Sequence, residues 1–376
     1  MQGPLHQPIG LYVHVPFCVS KCAYCDFASY AGRETDIPRY VDAVISEITR
    51  RSAETGHPKA DTVFLGGGTP SLLGEFQITR LLDALFEAFP IDKDAEITCE
   101  CNPGSLTAPF AQSLRKANVN RLSLGAQARQ PRLLRLIGRI HDWEKVIASV
   151  ETAHRVGLEN INLDLMLGLP SQTISDVRET LEAALALGPT HLSCYSLMVE
   201  EGTPICRDIT VGKLALPNEE TERDMYELAR QTLAEHGFHQ YEISNFAREG
   251  YACRHNVGCW TRVPYLGFGS AAHSFFQECR TMNPAKLDAY LAGEGPQTEQ
   301  ISREEARFES MMLGLRMTRG VKNEDFTRMH GMSIREAFGE KLDKPINGGL
   351  LEWHEGGLRL TRLGMDLQNS VLVDLL

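Results

Sequence analysis

Three cysteines lie within eight residues of one another, Cys18, Cys22 and Cys25. A structural zinc site needs four ligands, usually supplied as two Cys-x-x-Cys pairs, and no fourth cysteine is near this group. An iron–sulfur cubane normally takes four thiolates as well. Three thiolates would leave one iron free to bind an external chelator. The spacing therefore favours an open [4Fe–4S] cluster over zinc and over three core cysteines placed together by chance.

The elements that must position these cysteines follow a repeating β/α pattern through the first two thirds of the chain. Short β-like runs alternate with longer helical ones, which predicts parallel strands joined by crossover helices. The six predicted strands are 10–15, 62–65, 97–101, 121–126, 160–166 and 191–197, and the main predicted helices are 39–52, 76–89, 143–156, 176–187 and 219–235. Six units are too few for a closed eight-stranded barrel. We predict an α/β fold with a partial, TIM-like (β/α)6 barrel, whose functional groups gather at the carboxyl ends of the strands.

Alternation along these strands separates an apolar face from a polar one. In the third strand Glu100 opposes Cys99 and Cys101, and in the fifth Asp164 opposes Leu163 and Leu165. The apolar face suits packing against the outer helices, so the polar face must point into the barrel. Buried carboxylates are costly without partners. A lumen that binds a polar ligand explains them, and salt-bridged structural residues are the alternative.

A run of three glycines follows the second predicted strand, Gly66-Gly67-Gly68-Thr69-Pro70. Glycine removes the Cβ where the backbone must come close to another group. A tight turn alone would also explain a triple glycine. Its place in the unit after the cysteine loop favours a ligand-binding role.

The cysteine spacing, with Tyr24 directly before the last cysteine, resembles the radical S-adenosylmethionine (SAM) superfamily. The resemblance implies that the free iron binds the amino and carboxylate groups of SAM. It also implies that reductive cleavage of SAM gives a 5'-deoxyadenosyl radical, with the protein positioning the cofactor. The glycine run looks like the superfamily's motif that binds the SAM amino group.

Within that superfamily, residues 11–362 resemble the coproporphyrinogen III oxidase-like family. Matching stretches include 64–71, 120–127, 162–170, 241–247 and 253–256. By this resemblance, the residues expected to contact SAM are Tyr12, Tyr24, Gly67, Gly68, Thr69, Glu100, Gln127, Arg139, Asp164 and Met198. Carboxylates can accept hydrogen bonds from ribose hydroxyls or an ammonium, and arginine can pair with the SAM carboxylate.

Two departures separate this chain from the oxidases of the family. Oxidases carry a fourth cysteine two residues after the third, where this chain has Phe27, and they carry a longer N-terminal extension than the 17 residues before Cys18. Both departures favour the family's heme chaperones, which bind heme and pass it to other proteins. Coproporphyrinogen III oxidation is therefore not expected. It stays an alternative function, as does another radical SAM reaction that modifies heme.

Heme ligands are sought in the segment His255-Asn-Val-Gly-Cys-Trp260. Related heme-handling proteins carry His-Asn-x-x-Tyr, and this chain has Cys259 in place of the tyrosine. Histidine is the usual heme ligand and cysteine is another. We therefore expect His255, Cys253 and Cys259 to form a heme-binding cluster.

The pattern changes beyond about residue 285, where helices and a hairpin follow. We predict three parts: a radical SAM core barrel over 1–240, a connecting segment with the His-Asn-x-x-Cys motif over 241–290, and a small winged-helix-like α+β domain over 291–376. Residues 301–376 hold 11 Lys and Arg against 12 Asp and Glu, without the basic excess that DNA binding needs. A lid or a module that docks a partner is expected there.

Composition gives the remaining expectations. The chain has 376 residues, a net charge of −11 and ten cysteines. The charge argues against nucleic acid as a partner, and an open cluster needs a reducing compartment. With no targeting segment at the N-terminus, we expect a cytoplasmic protein. Its expected cofactors and cargo are a [4Fe–4S] cluster, SAM and heme. Its expected partners are acceptor hemoproteins such as cytochromes, membrane-bound acceptors in transient contact, and a second copy in a homodimer.

Overall fold

Six parallel strands form the centre of the main sheet in the computed structural model, which describes residues 8–376. They pair in chain order, with helices as the connections. Their bounds are β1 Ile9–Val15, β2 Ala60–Gly67, β3 Ile91–Cys101, β4 Arg121–Gln127, β5 Asn160–Leu167 and β6 His191–Ser196. Every predicted strand overlaps an observed one, so the predicted (β/α)6 arrangement is confirmed.

Eight helices connect these strands or follow the last of them. Their bounds are α1 Ile37–Thr55, α2 Gly74–Ala88, α3 Ala108–Lys116, α4 Pro131–Leu136, α5 Trp143–Arg155, α6 Ile174–Leu185, α7 Pro204–Thr210 and α8 Glu219–Glu235. Residues that favour a helix N-terminus begin two of these helices. Pro38 occupies the first turn of α1, and Thr173 forms a capping box with Asp176 at α6. The buried faces of these helices cover the outer face of the sheet. Leu11 and Val13 of β1, on the face that alternation assigned to the helices, have no exposed surface.

Six further strands extend the sheet at both edges and were not predicted. They are β7 His239–Gln240, β8 Asn245–Ala247, β9 Tyr265–Phe268, β10 His273–Phe276, β11 Cys279–Met282 and β12 Gln297–Gln300. The full order is β12-β11-β10-β9-β1-β2-β3-β4-β5-β6-β8-β7. Two short helices lie between them, α9 Arg254–Trp260 and α10 Leu287–Leu291. The sheet thus runs across the boundaries at 240 and 290, which stay predictions.

The C-terminal unit combines a three-stranded sheet with helices, as a winged-helix-like domain does. Its strands are β13 Val321–Lys322, β14 Leu351–His354 and β15 Gly357–Leu360, in the order β13-β15-β14. Its helices are α11 Arg303–Gly314, α12 Asn323–His330, α13 Ile334–Phe338, α14 Asp343–Asn347, α15 Arg362–Asp366 and α16 Gln368–Leu375. A separate apolar cluster that includes Phe326, Leu342 and Leu358 forms its core.

The hairpin turn lies one residue before the predicted Gly356-Gly357 pair. Glu355 and Gly356 have φ values of 47° and 77° and form the turn, while Gly357 pairs with His354 inside the strand. A Cβ on Gly357 would meet the Val321 carbonyl oxygen at 2.6 Å. The second glycine is therefore required by the neighbouring strand and not by the turn.

Residues 1–7, which carry most of the N-terminal segment examined for targeting signals, lie outside the described residues. Among residues 8–376, no helix is both long enough and apolar enough to cross a membrane.

A buried acid on α1 attaches the added strands to the barrel. The Glu47 carboxylate accepts hydrogen bonds from the Gly269 amide at 2.9 Å, from Asn283 Nδ2 at 2.7 Å and from the Tyr290 hydroxyl at 2.8 Å. These three donors belong to segments that follow β9 and β11 and to α10. One side chain therefore satisfies three polar groups that would otherwise be buried without partners.

Replacing Glu47 by Ala should lower the free energy of unfolding by about 3–5 kcal/mol, because buried donors left unpaired cost about 1–3 kcal/mol each. Chemical denaturation followed by circular dichroism measures the change. Glu54→Ala, on the exposed side of the same helix, is the matched control and should change stability by less than about 0.5 kcal/mol. Equal effects of the two variants would show that the buried acid does not hold these segments.

Candidate functional site

The three clustered cysteines lie in the loop that leaves β1 at the carboxyl end of the barrel. A turn that places the Cys25 amide 3.2 Å from the Cys22 carbonyl oxygen brings the last two together, and the Ala23 amide binds the Ile137 carbonyl at 3.0 Å. The loop is thereby fixed to the segment after α4. All three cysteines line one cavity of about 510 Å³ at the barrel mouth.

A hydrogen-bond donor lies beside each of the three thiols. Thr69 Oγ1 lies 3.7 Å from Cys18 Sγ, and Arg139 Nη1 lies 3.5 Å from Cys22 Sγ. Burial raises the pKa of Cys25, and a hydrogen bond from the Phe27 backbone opposes that rise. Donors of this kind stabilise thiolates and tune a bound cluster.

Residues 8–376 contain no group of three or more His, Cys, Asp or Glu side chains gathered closely enough to hold a single metal ion. A cubane needs no such convergence, because each of its thiolates binds a different iron. The donor set of the loop therefore fits a cluster, with three sulfur ligands directed at one cavity.

The glycine run at the end of β2 lies where the surrounding protein leaves no room for a side chain. A Cβ on Gly68 would meet the Phe17 and Val15 carbonyl oxygens at 2.7 and 2.8 Å. Gly67 has φ +105°, a conformation that favours glycine, and its amide donates to Glu100 Oε2 at 3.0 Å. Gly67 and Gly68 also line the mouth cavity, so their backbone is open to a ligand there.

Two buried acids face the same cavity. Burial, followed by the nearby Asp164 carboxylate, raises the pKa of Glu100 to about 8. Burial also raises the pKa of Asp164, against hydrogen bonds from Asn162 Nδ2 at 2.8 Å and Ser123 Oγ at 3.2 Å. Glu100 accepts only the Gly67 amide among the described residues, so it keeps acceptor capacity for a ligand.

Arg139 adds a buried guanidinium to the cavity. Its Nη2 donates to the Gly125 carbonyl at 2.5 Å, while its Nε is buried without a hydrogen-bond partner among the described residues. Gln127, at the end of β4, has φ +62°, an uncommon conformation for a residue with a side chain. The Tyr195 hydroxyl donates to Gln127 Oε1 at 3.2 Å. The Arg139 and Gln127 side chains are thus held toward the barrel mouth.

Eight of the ten predicted SAM-contact residues line this cavity together with the three cysteines. They are Tyr24, Gly67, Gly68, Glu100, Gln127, Arg139, Asp164 and Met198, of which Met198 is 73 % exposed. Thr69 lines a smaller adjoining cavity of about 150 Å³ and accepts a hydrogen bond from Asn102 Nδ2 at 2.8 Å. The residues fit a SAM site, and the individual contacts stay predictions.

Tyr12 lies one layer below the cavity, level with Phe64 of β2. Its hydroxyl is 2.9 Å from His14 Nδ1, and His14 Nε2 is 2.9 Å from the Ala28 carbonyl oxygen in the cysteine loop. Tyr12 therefore supports the loop through His14. The family resemblance does not identify this role of His14, which lies two residues from Tyr12 and therefore on the same face of β1.

Two other residues of the site were missed. Ser123 and Tyr195 line the cavity, and each bonds a predicted contact residue. Ser123 lies on the polar face that alternation identified. Tyr195 lies in the predicted sixth strand, but its partner Gln127 is 68 positions away in the sequence.

The three expected heme ligands lie at the opposite, amino-terminal end of the barrel. His255 is buried, with Nδ1 3.0 Å from Thr62 Oγ1 and its ring stacked on Phe64 at 5.2 Å between centroids. Burial lowers the pKa of His255 to about 4. Burial also raises the pKa of Cys253 to about 12, and its thiol donates to Glu96 Oε1 at 3.4 Å. Their binding of heme stays a prediction.

The cavity beside these residues has a small volume. His255 and Cys259 line a cavity of about 160 Å³, whereas cavities that hold ligands of drug size usually measure about 300–1,000 Å³. Cys253 has no exposed surface and does not line this cavity. The structure places the three side chains in one segment without directing them at a common open space.

Comparisons with known proteins agree with this geometry. A family model described as the radical SAM superfamily matches residues 12–184, and one described as the HemN C-terminal domain matches residues 301–367. The chain is 39 % identical to the heme chaperone HemW of Bacillus subtilis over 96 % of this chain and 97 % of that protein. It is 33 % identical to HemW of Escherichia coli over 97 % of each.

Among solved structures, the fold is similar to that of coproporphyrinogen III oxidase (HemN) from Escherichia coli, described as a radical SAM enzyme. The TM-score is 0.85 at 24 % identity, covering 98 % of this chain and 90 % of that one. At this identity the likeness concerns the fold alone.

Replacing Cys18, Cys22 or Cys25 singly by Ala should abolish the cluster, because each change removes one of only three sulfur ligands in the loop. Iron quantitation and the visible absorption band after anaerobic reconstitution measure the loss. Cys206→Ala and Cys279→Ala, at similarly half-buried thiols elsewhere, are matched controls and should keep the iron. Full iron content in all three loop variants would contradict the cluster assignment.

Glu100→Gln and Asp164→Asn should each weaken SAM binding roughly ten- to a hundredfold while leaving the iron content unchanged. A lost hydrogen bond to a charged group has about this effect on a dissociation constant. Calorimetry on the cluster-loaded protein measures the SAM dissociation constant. Glu151→Gln, at an exposed position on α5, is the control.

The pH dependence provides a second measurement for the same acids. Because the Glu100 carboxyl has a pKa of about 8 in the protein, it loses its proton as pH rises through that value. Affinity for the cationic SAM should therefore increase between about pH 6 and about pH 9, and Glu100→Gln should reduce that increase. Wild-type affinity in both acid variants would show that these groups do not face SAM.

Proposed function

Because the chain belongs to the HemW family within the radical SAM superfamily, we propose that it is a heme chaperone, which binds heme and transfers it to acceptor hemoproteins. The observation that carries this proposal is the similarity to proteins named heme chaperone HemW across nearly the whole of both chains. The barrel-mouth site supports it, because its cysteine loop and glycine run suit the cofactors of that superfamily.

In the proposed cofactor site, Cys18, Cys22 and Cys25 would hold a [4Fe–4S] cluster. The Gly67–Gly68 backbone and the Glu100 carboxylate would bind the SAM amino group, and Arg139 would pair with its carboxylate. When bound, the cluster and SAM can supply one-electron chemistry that the protein side chains cannot.

Neighbouring side chains of this chain position that site. Tyr195 holds Gln127 toward the cavity, and Asn162 and Ser123 hold Asp164, all by hydrogen bonds within the protein. Side chains fixed by their own neighbours need less ordering when a ligand binds.

Coproporphyrinogen III oxidation is the competing function, and Phe27 disfavours it. Its side chain is 65 % exposed and lines the mouth cavity at the position where the oxidases carry their fourth cysteine. An aromatic ring there offers no thiol to the reaction. The similarity to heme chaperones and this substitution point in the same direction.

The proposal also covers the partners of the protein and its cellular compartment. We propose acceptor hemoproteins as the partners, including membrane-bound ones in transient contact, and a homodimer as the assembled form. The cytoplasm is the proposed compartment, because ten cysteines without a disulfide among them suit reducing conditions.

The cluster-loaded protein should bind about one hemin per chain and pass it to an apo-hemoprotein, and it should not decarboxylate coproporphyrinogen III. Anaerobic incubation with hemin and an apo-hemoprotein, followed by absorption, measures binding and transfer. A parallel anaerobic incubation with coproporphyrinogen III, SAM and reductant, followed by mass spectrometry, measures products. Boiled protein is the control for uncatalysed transfer. Protoporphyrinogen above that control would favour the oxidase, and absence of a heme spectrum would contradict the chaperone function.

A further inference from the structure

An arginine lies buried inside the barrel without a hydrogen-bond partner. Arg121, the first residue of β4, is 2 % exposed. Across residues 8–376, its guanidinium makes no hydrogen bond and no ion pair, and its Nε is completely buried. Arginine carries five N–H donors and keeps its charge in proteins, and a buried charge is tolerated only where other groups compensate it. The groups around Arg121 in the lumen must therefore supply that compensation.

Strand register places Arg121 one layer below the floor of the mouth cavity. Arg121 pairs with Thr98 of β3, and the next residues on the same face of these strands, Ser123 and Glu100, pair with each other and line the cavity. Successive residues on one face of a strand are about 6–7 Å apart. Thr98 Oγ1 is likewise buried without a partner in the described part of the chain. The Arg121 layer thus lies directly beneath the layer that contains Glu100.

Titratable groups lie around Arg121 toward both ends of the lumen. Burial lowers the pKa of Arg121, but four nearby groups raise it more: Cys253, Glu96, Tyr241 and Asp164. Two histidines face the same cation, which adds to the effect of burial in lowering the pKa of His191 and of His255. The charge of Arg121 therefore acts on the mouth of the barrel and on its amino-terminal end.

Of the acids near this cation, Glu100 has the fewest other partners. Asp164 accepts two side-chain hydrogen bonds, and Glu96 accepts two backbone amides. Glu100 accepts only the Gly67 amide among residues 8–376. Its ionised form consequently depends on a nearby positive charge more than the ionised forms of the other two acids do.

The groups that face Glu100 come from each strand packed against it. Tyr12 of β1 is buried and stays neutral, because burial and the Glu100 charge raise its pKa well above the usual value. Asp164 of β5 raises the pKa of Glu100, after the larger effect of burial, and Arg121 of β4 lowers it. Arg121 is the cation among these groups, so it opposes both effects that favour the neutral acid.

We infer that Arg121 is a positioning residue for the cofactor site, whose buried cation holds Glu100 and Asp164 in the charged form that a cationic SAM binds. The inference rests on the SAM site of the proposed function. Arg121 does not line the mouth cavity, so it acts through the two acids and not by contact with the ligand. Because Coulomb energy falls with distance, a cation beneath the acids favours their ionisation more than it repels the ligand above them.

Infrared titration of the full-length, cluster-loaded protein without SAM tests the effect on Glu100 directly. The protonated-carboxyl band that disappears in Glu100→Gln should titrate near pH 8 in the wild type. Arg121→Gln and Arg121→Met should each move that midpoint up by about one pH unit, because one charge has been removed from a site of low effective dielectric constant. Arg121→Lys keeps the charge and should keep the midpoint close to that of the wild type.

Calorimetry with SAM at two pH values tests the consequence for binding. At about pH 7, Arg121→Gln should bind SAM about tenfold more weakly, because a rise of one unit in the pKa of Glu100 lowers its ionised fraction about tenfold. At about pH 10 the acid is ionised in both proteins, and their affinities should agree within about twofold. Equal weakening at both pH values would show a structural defect and overturn the inference.

The matched control removes another buried cation. Arg262 is 6 % exposed and pairs with Glu278 and Glu309, away from the lumen. Arg262→Gln, with folding checked by circular dichroism as for the Arg121 variants, should change neither the infrared midpoint nor the affinity for SAM. A shift in this variant as large as that in Arg121→Gln would overturn a specific role of Arg121.

The outcomes separate this inference from the proposed function. If the wild type binds no SAM at either pH, the proposed cofactor site fails and the inference fails with it. If the wild type binds SAM and the uncharged Arg121 variants keep its midpoint and affinity, the cofactor site stands and the role of Arg121 is wrong. An upward midpoint in both uncharged variants, reversed in Arg121→Lys, with SAM binding weakened at about pH 7 alone, would support the inference.

Discussion

The burial of charged groups inside an apolar shell is the constraint on which the rest of this structure depends. Glu100 and Asp164 lie within the barrel, where the loss of water favours their neutral forms. Such groups are tolerated only when partners satisfy them. The sheet meets this demand with polar side chains on every second position, so strand alternation and the chemistry of the mouth are two consequences of one arrangement.

Hydrogen bonds continue this polar interior from the mouth to the other end of the barrel. Asn162 binds Asp164 at 2.8 Å and His191 Nδ1 at 2.6 Å, and His191 Nε2 lies 2.8 Å from the Tyr241 hydroxyl. The Cys253 amide then donates to Tyr241 at 3.3 Å. Because Tyr241 and Cys253 follow the last barrel strand, these contacts close the lumen with chain that lies outside the six β/α units.

The same closure explains the position of the His-Asn-x-x-Cys segment. The Glu96 carboxylate accepts the backbone amides of Arg254 at 2.9 Å and His255 at 3.1 Å, at the start of α9. A carboxylate at the start of a helix satisfies amides that have no partner within the helix. Burial would lower the pKa of Arg121, but the Cys253 and Glu96 groups beside it raise the pKa, so its cation has compensating charge. His255 thus completes a packed polar layer, and that role alone accounts for its burial.

The sequence predicted the parts of the fold that repeat locally. Each β/α unit contains its own period-two strand and amphipathic helix, and side chains two apart reveal which face Glu100 shares. The strands β7 to β12 have two to four residues each, too few to show a period, and they are defined by partners far along the chain. The role of Tyr195 was missed for the same reason, since its partner Gln127 lies on a different strand.

The cavity of about 340 Å³ between the end of α9 and α12 depends on such long-range packing as well. Trp260 and Met329 are about seventy positions apart in the sequence and meet only because the C-terminal unit docks on the barrel. That docking uses a Thr318 amide bonded to the Tyr241 carbonyl at 3.0 Å and an ion pair of Arg316 with the fully buried Glu242 at 3.4 Å. Tyr241 therefore contacts the lumen through its side chain and the C-terminal unit through its backbone. The amino-terminal end of the lumen and the C-terminal unit are thus held by two neighbouring residues, Tyr241 and Glu242.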